Sequence, residues 1–221
     1  ADGALRPAIA CLRDVLAFRA EQGHATVVLP ADLVACLDRA LEGGPADPDL
    51  RMALLSIALR HALAAAAGRP VAERVALCDG LLRRGRALLS RCRHVRSRAI
   101  LPRWDIVLGY LAGDHARRWH AADALLADPE LDADADLRLE FILQRLSVRL
   151  DSPHLRGIEE ELATVIDAAD RCRDRVGYDP RWLQDFYWYL TGDYDRIFAT
   201  ATGAVRLAGG DRRSLVHAYA L

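Results

Sequence analysis

The sequence predicts an all-α fold in which antiparallel helix pairs stack as an α-solenoid. Three observations carry this expectation. First, apolar residues recur at helical spacing: Leu5, Ile9, Leu12 and Leu16; Leu33, Leu37 and Leu41; Val71, Val75, Cys78 and Leu82; Leu139, Ile142, Leu143, Leu146 and Leu150; Leu155, Ile158, Leu162, Val165, Ile166 and Ala169. Second, breakers separate the stripes at Gly43-Gly44-Pro45, Gly68-Arg69-Pro70, Gly113-Asp114, Asp151-Ser152-Pro153, Gly177-Tyr178-Asp179-Pro180, Gly192-Asp193 and Gly209-Gly210-Asp211. Third, the breakers repeat. Tyr110-Leu111-Ala112-Gly113-Asp114-His115 aligns with Arg149 to His154 at an offset of 39, and with Tyr189 to Tyr194 at an offset of 79.

The elements follow in order. The first pair covers 4–22 and 30–42, with the one β-like run, Ala25 to Leu29, between them. The second covers 49–67 and 70–93, around a weaker copy of the turn, Ala65 to Pro70. The third takes 99–112 and 114–127, the fourth 135–151 and 154–176, the fifth 180–191 and 193–208. Asp32, Asp49, Asp179 and Asp211 suit helix starts, and Glu159-Glu160-Glu161 suits a first-turn dipole. A run from Arg212 begins a helix whose partner is missing. The expected organisation is one helical-repeat domain over 1–221. It comprises an N-terminal pair (1–45), pair repeats (46–210) and the first helix of a truncated repeat (211–221). A repeat of about 40 residues cannot bury its apolar faces alone, so neighbours stack. With no initiator Met and a terminus inside a helical pattern, the chain reads as a piece of a longer protein.

Composition narrows the chemistry. The 221 residues carry 30 basic and 31 acidic side chains, and 52% are hydrophobic, which argues against disorder. No apolar run reaches the ~18 residues of a membrane span. Every basic residue is arginine, and the chain has neither Lys nor Asn. That excludes a P-loop, kinase or Schiff-base lysine in this segment, and any Asn-dependent triad. The five cysteines (Cys11, Cys36, Cys78, Cys92 and Cys172) are odd in number, widely spaced and without C-x-x-C. Reduced thiols in a cytoplasmic protein are the expectation, with no zinc site or disulfide framework. His115 and His120 are about 140° apart on a helix and do not converge on a metal. No G-x-S-x-G, H-E-x-x-H, G-x-G-x-x-G or EF-hand loop occurs, so neither cofactor nor catalysis is expected.

Two constellations stand out. Trp182, Phe186, Tyr187, Trp188 and Tyr189 form an aromatic cluster. Helical spacing puts Trp182, Phe186 and Tyr189 on one face, as core between repeats. Trp188 then points elsewhere, as an anchor for a ligand. The stretch from Arg83 to Arg98 holds Arg83, Arg84, Arg86, Arg91, Arg93, Arg96, Arg98 and His94, with no acid. The acids Asp123, Asp128, Glu130, Asp132, Asp134, Asp136 and Glu140 offer it internal partners. A solvated or internally paired face is the first reading, an anionic partner the second. Nucleic acid is not an expected partner, because aromatic stacking residues are missing from the run.

The L-x-G-D-[YH] turn at Leu111-Ala112-Gly113-Asp114-His115 and Leu190-Thr191-Gly192-Asp193-Tyr194 resembles that of tetratricopeptide (TPR) repeats. Ala121-Ala122 and Ala208 are similar to the small residues that let TPR helices approach. The period of about 40 differs from the family's 34, and its early Trp and late Pro are not regularly placed. Long degenerate repeats of this kind are similar to helical domains of bacterial signalling proteins, among them transcription activators of the maltose-regulator type. The resemblance implies a right-handed superhelix whose first helices line a concave groove. It nominates Arg103, Arg145, Arg149, Arg181, Gln184 and Trp188 as contacts for a protein, a peptide or a small anionic effector. The alternatives are an all-helical enzyme domain and an oligomerisation module that forms a homodimer.

Overall fold

The computed structural model describes residues 9–11, 13–15, 28–42, 47–151, 155–171 and 181–200. Every regular element among them is helical, and none is long and apolar enough to cross a membrane. The turns expected at 43–45, 177–180 and 209–211, Cys172 and the run from Arg212 lie outside the described residues. Two compact units divide the chain, residues 1–131 and 132–221.

The first unit holds α1 (Ala31–Glu42), α2 (Pro48–Ala65), α3 (Val71–Leu89), the short α4 (Val95–Arg98), α5 (Ile100–Ala112) and α6 (His115–Leu126), and the unit boundary falls within a 3₁₀ turn, Pro129–Ala133. Asp47 starts α2: its carboxylate accepts from the N–H groups of Asp49 (2.9 Å) and Leu50 (3.1 Å), and Pro48 follows at a position that needs no donor. Helix α2 buries Met52, Leu54, Leu55, Ala58 and Leu59, more than one stripe's worth, and it packs on α1, α3, α4 and α5. Helix α3 has a narrower stripe: Cys78, Leu82 and Gly85. A Cβ on Gly85 would stand 2.5 Å from Leu55 Cδ2 and 2.6 Å from Leu101 Cδ2. The missing side chain lets α3 lie close against α2 and α5.

Helix α3 stops at Leu89 rather than continuing to 93. The carboxylate of Asp49, on α2, accepts the backbone N–H groups of Arg93 (3.2 Å) and His94 (3.3 Å). Those donors are drawn out of the helical ladder, Cys92 is buried beneath them, and the chain turns into α4.

The turns aligned at an offset of 79 share their main-chain hydrogen bonds. Gly113 has φ 68° and Gly192 φ 78°. The Gly113 N–H donates to Tyr110 O (3.2 Å) and the Asp114 N–H to Gly109 O (2.8 Å). Gly192 donates to Tyr189 O (3.2 Å) and Asp193 to Trp188 O (2.8 Å). This is the paired bonding of a Schellman motif, which needs a left-handed residue and therefore favours glycine. The aspartate then caps the next helix, Asp114 accepting from Arg117 N (2.9 Å) and Asp193 from Arg196 N (3.4 Å). In the copy at an offset of 39, Asp151 ends its helix at φ −76° and Gly157 takes φ 76°, while residues 152–154 lie outside the described residues.

The second unit holds α7 (Ala135–Leu150), α8 (Ile158–Arg171), α9 (Arg181–Thr191) and a further helical stretch at 194–200. Helices α7, α8 and α9 each touch the other two. Leu139, Leu143, Leu146 and Leu150 meet Ile158, Leu162, Val165, Ala169 and Leu183 in its core. Each of the leucines, Ile158 and Val165 contributes about 1.5–3 kcal/mol on burial.

Candidate functional site

In the first unit several charged side chains are engaged with one another. Arg117, on α6, reaches Asp79 on α3 and Asp105 on α5, at 2.6 Å each. Arg86 adds a second contact to Asp105 at 3.0 Å. Arg98 holds Asp128 and Glu130 at 2.9 Å each. Its guanidinium holds the Asp128 carboxyl below the usual carboxylate range, against a smaller opposing effect of burial. Arg86 and Arg98 of the basic run are thus internally paired, while Arg83, Arg84, Arg91 and Arg93 are exposed.

The nominated groove residues divide between the units. Arg103 is half-buried on α5 of the first. Arg145 and Arg149, one turn apart on α7, converge on Glu161 of α8, Arg145 at 3.4 Å. Arg149 also donates to the carbonyl of Arg156 at 3.1 Å. Arg181, at the start of α9, grips both oxygens of Asp170 at 2.8 and 2.6 Å. Gln184 is half-buried on the same helix. The arginines therefore join successive helices through carboxylates of α8.

Trp188 faces inward, at 9% exposure. Its indole N–H is buried without a hydrogen-bond partner among the described residues. The Arg196 guanidinium lies 5.8 Å from the ring centroid and is held there by Glu159 and, at 3.1 Å, by Asp193. Tyr189, expected in the core, points outward at 60% exposure. It stacks on Phe186 (centroids 6.5 Å apart, planes 11°) and meets Tyr194 edge to face at 6.3 Å. Tyr194 is 53% exposed, and Phe198, one turn further on, is 71% exposed. Leu190 is exposed as well.

This aromatic surface was not among the residues nominated from sequence. Its signal was present: Tyr194 and Phe198 are four apart after a Gly-Asp turn, and so share one helix face. Rings clustered in the open are uncommon on a monomer surface and mark contact sites. Among the described residues no three His, Cys, Asp or Glu side chains group as metal ligands. Compared with family models, with curated proteins and with solved structures, the chain matches none.

Proposed function

We propose that the chain is a non-catalytic, TPR-like interaction domain that binds a protein or peptide segment. On this reading it is a right-handed α-solenoid, the sensor or scaffold part of a larger bacterial signalling or transcription-regulatory protein. The observation that carries the reading is the surface of Tyr189, Tyr194 and Phe198, each more than half exposed. Tyr and Phe give large contact area for little lost rotamer freedom, and the contacts among Phe186, Tyr189 and Tyr194 arrange the rings beforehand. The two matched Gly-Asp turns support the repeat. Arg145, Arg149 and Arg181 border the same unit's helices, and a ligand carboxylate would reach them by exchanging with Glu161 or Asp170.

A random peptide library displayed against the immobilised chain tests this. Recovered peptides are measured by fluorescence anisotropy. Tyr189→Ser with Phe198→Ser should weaken them at least tenfold, while Tyr110→Ser, an exposed ring of the first unit, changes nothing. Peptides that bind the double variant as well as the parent would refute the reading. The same surface also fits self-association. A concentration-dependent dimer, dissolved by the double variant, would replace the peptide reading with the oligomerisation one.

A further inference from the structure

We propose that Arg83, Arg84, Arg91 and Arg93 form a docking surface on the first unit for an acidic peptide segment of a partner protein. From residue 80 to residue 104 the chain contains no acid. Arg83 and Arg84 stand on α3, and Arg91 and Arg93 follow it in the turn towards α4. All four are exposed, and none makes an ion pair among the described residues. Arg84 and Arg91 are seven residues apart, two helical turns, and Ser90 between them keeps helical dihedrals (φ −67°, ψ −10°). They therefore leave the same side of the α3 axis. The acids nearest to them are occupied. Asp79 and Asp105 hold Arg117, and Asp105 also holds Arg86. Both oxygens of Asp49 accept main-chain N–H groups, those of Arg93 and His94. The helix dipole gives a reason for Arg86, in the last turn of α3. It gives none for Arg83 and Arg84, which lie before that turn, or for Arg91 and Arg93, which lie beyond the helix.

The far end of the same run shows what fits it. Arg98 takes the carboxylates of Asp128 and Glu130 at 2.9 Å each, two acids separated only by Pro129. One member of the run thus already binds a short acidic stretch of this chain. The four exposed arginines offer the same forked donors to carboxylates from outside. A single-stranded nucleic acid or a bilayer fits less well. The other exposed residues between Arg83 and Arg93 are Arg86, Ala87 and Ser90. No ring stands among them to stack on the bases of a single strand. No large apolar side chain is exposed among them to enter a bilayer. An acidic peptide needs neither, because its carboxylates meet the guanidinium groups directly.

The test measures fluorescence anisotropy of a labelled peptide of alternating Glu and Ala titrated with the full chain at low salt. The peptide should bind, and the same peptide with Gln for Glu should not. Raising NaCl from about 50 to about 500 mM should weaken binding at least tenfold, because exposed charges are screened. Arg84→Gln with Arg91→Gln should weaken it about tenfold through the loss of two charge-assisted contacts. Arg69→Gln with Arg156→Gln removes the same charge from other exposed positions and should leave binding unchanged. Thermal melts of both double variants should match the parent, since all four side chains are exposed. A Glu peptide that fails to bind up to about 1 mM overturns the proposal. So does equal weakening by the two double variants, which would make the effect one of net charge alone. Duplex DNA or phosphatidylglycerol vesicles held more tightly than the Glu peptide, and lost with Arg84→Gln and Arg91→Gln, would overturn it in favour of a phosphate-bearing partner.

Discussion

Glycines of the first unit separate three physical effects within one denaturation series. Gly113 sits at φ 68°, and a Cβ there would meet nothing within 4 Å. The cost of Gly113→Val is therefore conformational: about 1–2 kcal/mol for an L residue in the left-handed region, at the upper end for a β-branched one. Gly80, within α3, also has open space around it. Gly80→Ala should stabilise by about 0.5–1 kcal/mol, since alanine loses less conformational freedom on entering a helix. Gly85, one and a half turns on, is the opposite case. A methyl 2.5 Å from Leu55 Cδ2 and 2.6 Å from Leu101 Cδ2 overpacks the α2–α3–α5 junction. Gly85→Ala should lose about 1–3 kcal/mol despite the same helix propensity gain. Urea midpoints at constant m-value read all three. The expected order is Gly80→Ala above the parent, then Gly113→Val and Gly85→Ala below it. Gly113→Asn should recover part of the loss, because asparagine tolerates the left-handed region. Equal midpoints for Gly113→Val and Gly80→Ala would show that the turn does not constrain the chain, and would refute the reasoning.

Other perturbations read the charged contacts. Arg117→Met leaves Asp79 and Asp105 without their shared guanidinium and should cost about 1–3 kcal/mol, seen as a lower melting temperature; an unchanged melt would mean that the contacts contribute nothing. Arg149→Glu sets an acid beside Glu161 and should cost about 1 kcal/mol, part of it restored by Glu161→Arg; lost peptide binding with full stability would instead make Arg149 a groove contact. The Asp128 carboxyl is held low by Arg98, so its contribution is complete above the ordinary carboxylate value of about 3.9 and is lost as pH falls through its folded value. Asp128→Asn should therefore lower stability at neutral pH and flatten the acid limb of the melting profile, which a pH series of thermal melts measures.

Much of the helical framework was legible because periodicity and turn chemistry are local. The stripe Leu139, Leu143, Leu146 and Leu150 is buried along α7, and Gly113 and Gly192 take the positive φ that their position demanded. What escaped the sequence depended on distant partners. The end of α3 is set by Asp49, more than forty residues upstream of the N–H groups it captures. The facing of α9 is another such case. Aromatic residues surround that helix, so spacing offered several apolar faces. Contact with the unit's core selects Leu183 and Trp188 for the inside and leaves Tyr189 outside. Arg145, Arg149 and Arg181 likewise meet Glu161 and Asp170, acids on α8, through packing between helices that spacing along the chain does not reveal.

The matched turns also show how one backbone device serves two surfaces. Gly109 and Trp188 occupy equivalent positions, each accepting the aspartate N–H through its carbonyl. At Gly109 the side chain is absent, and a Cβ would stand 2.7 Å from Arg118 Cγ and 2.9 Å from Asp114 O. The Arg118 stem fills that space, its guanidinium 5.4 Å from the Tyr110 ring centroid. At Trp188 an indole takes the room instead, and the arginine that covers it is Arg196, held by Glu159. Both turns therefore place an arginine over an aromatic ring, but the ring differs: the outward Tyr110 in one, the inward Trp188 in the other. With Arg196 drawn over Trp188, the equivalent tyrosine, Tyr189, is left to stack with Phe186 and Tyr194. The main-chain hydrogen bonds do not depend on this exchange of side chains. The same backbone turn is thus kept while one copy buries its arginine and the other leaves aromatic rings exposed.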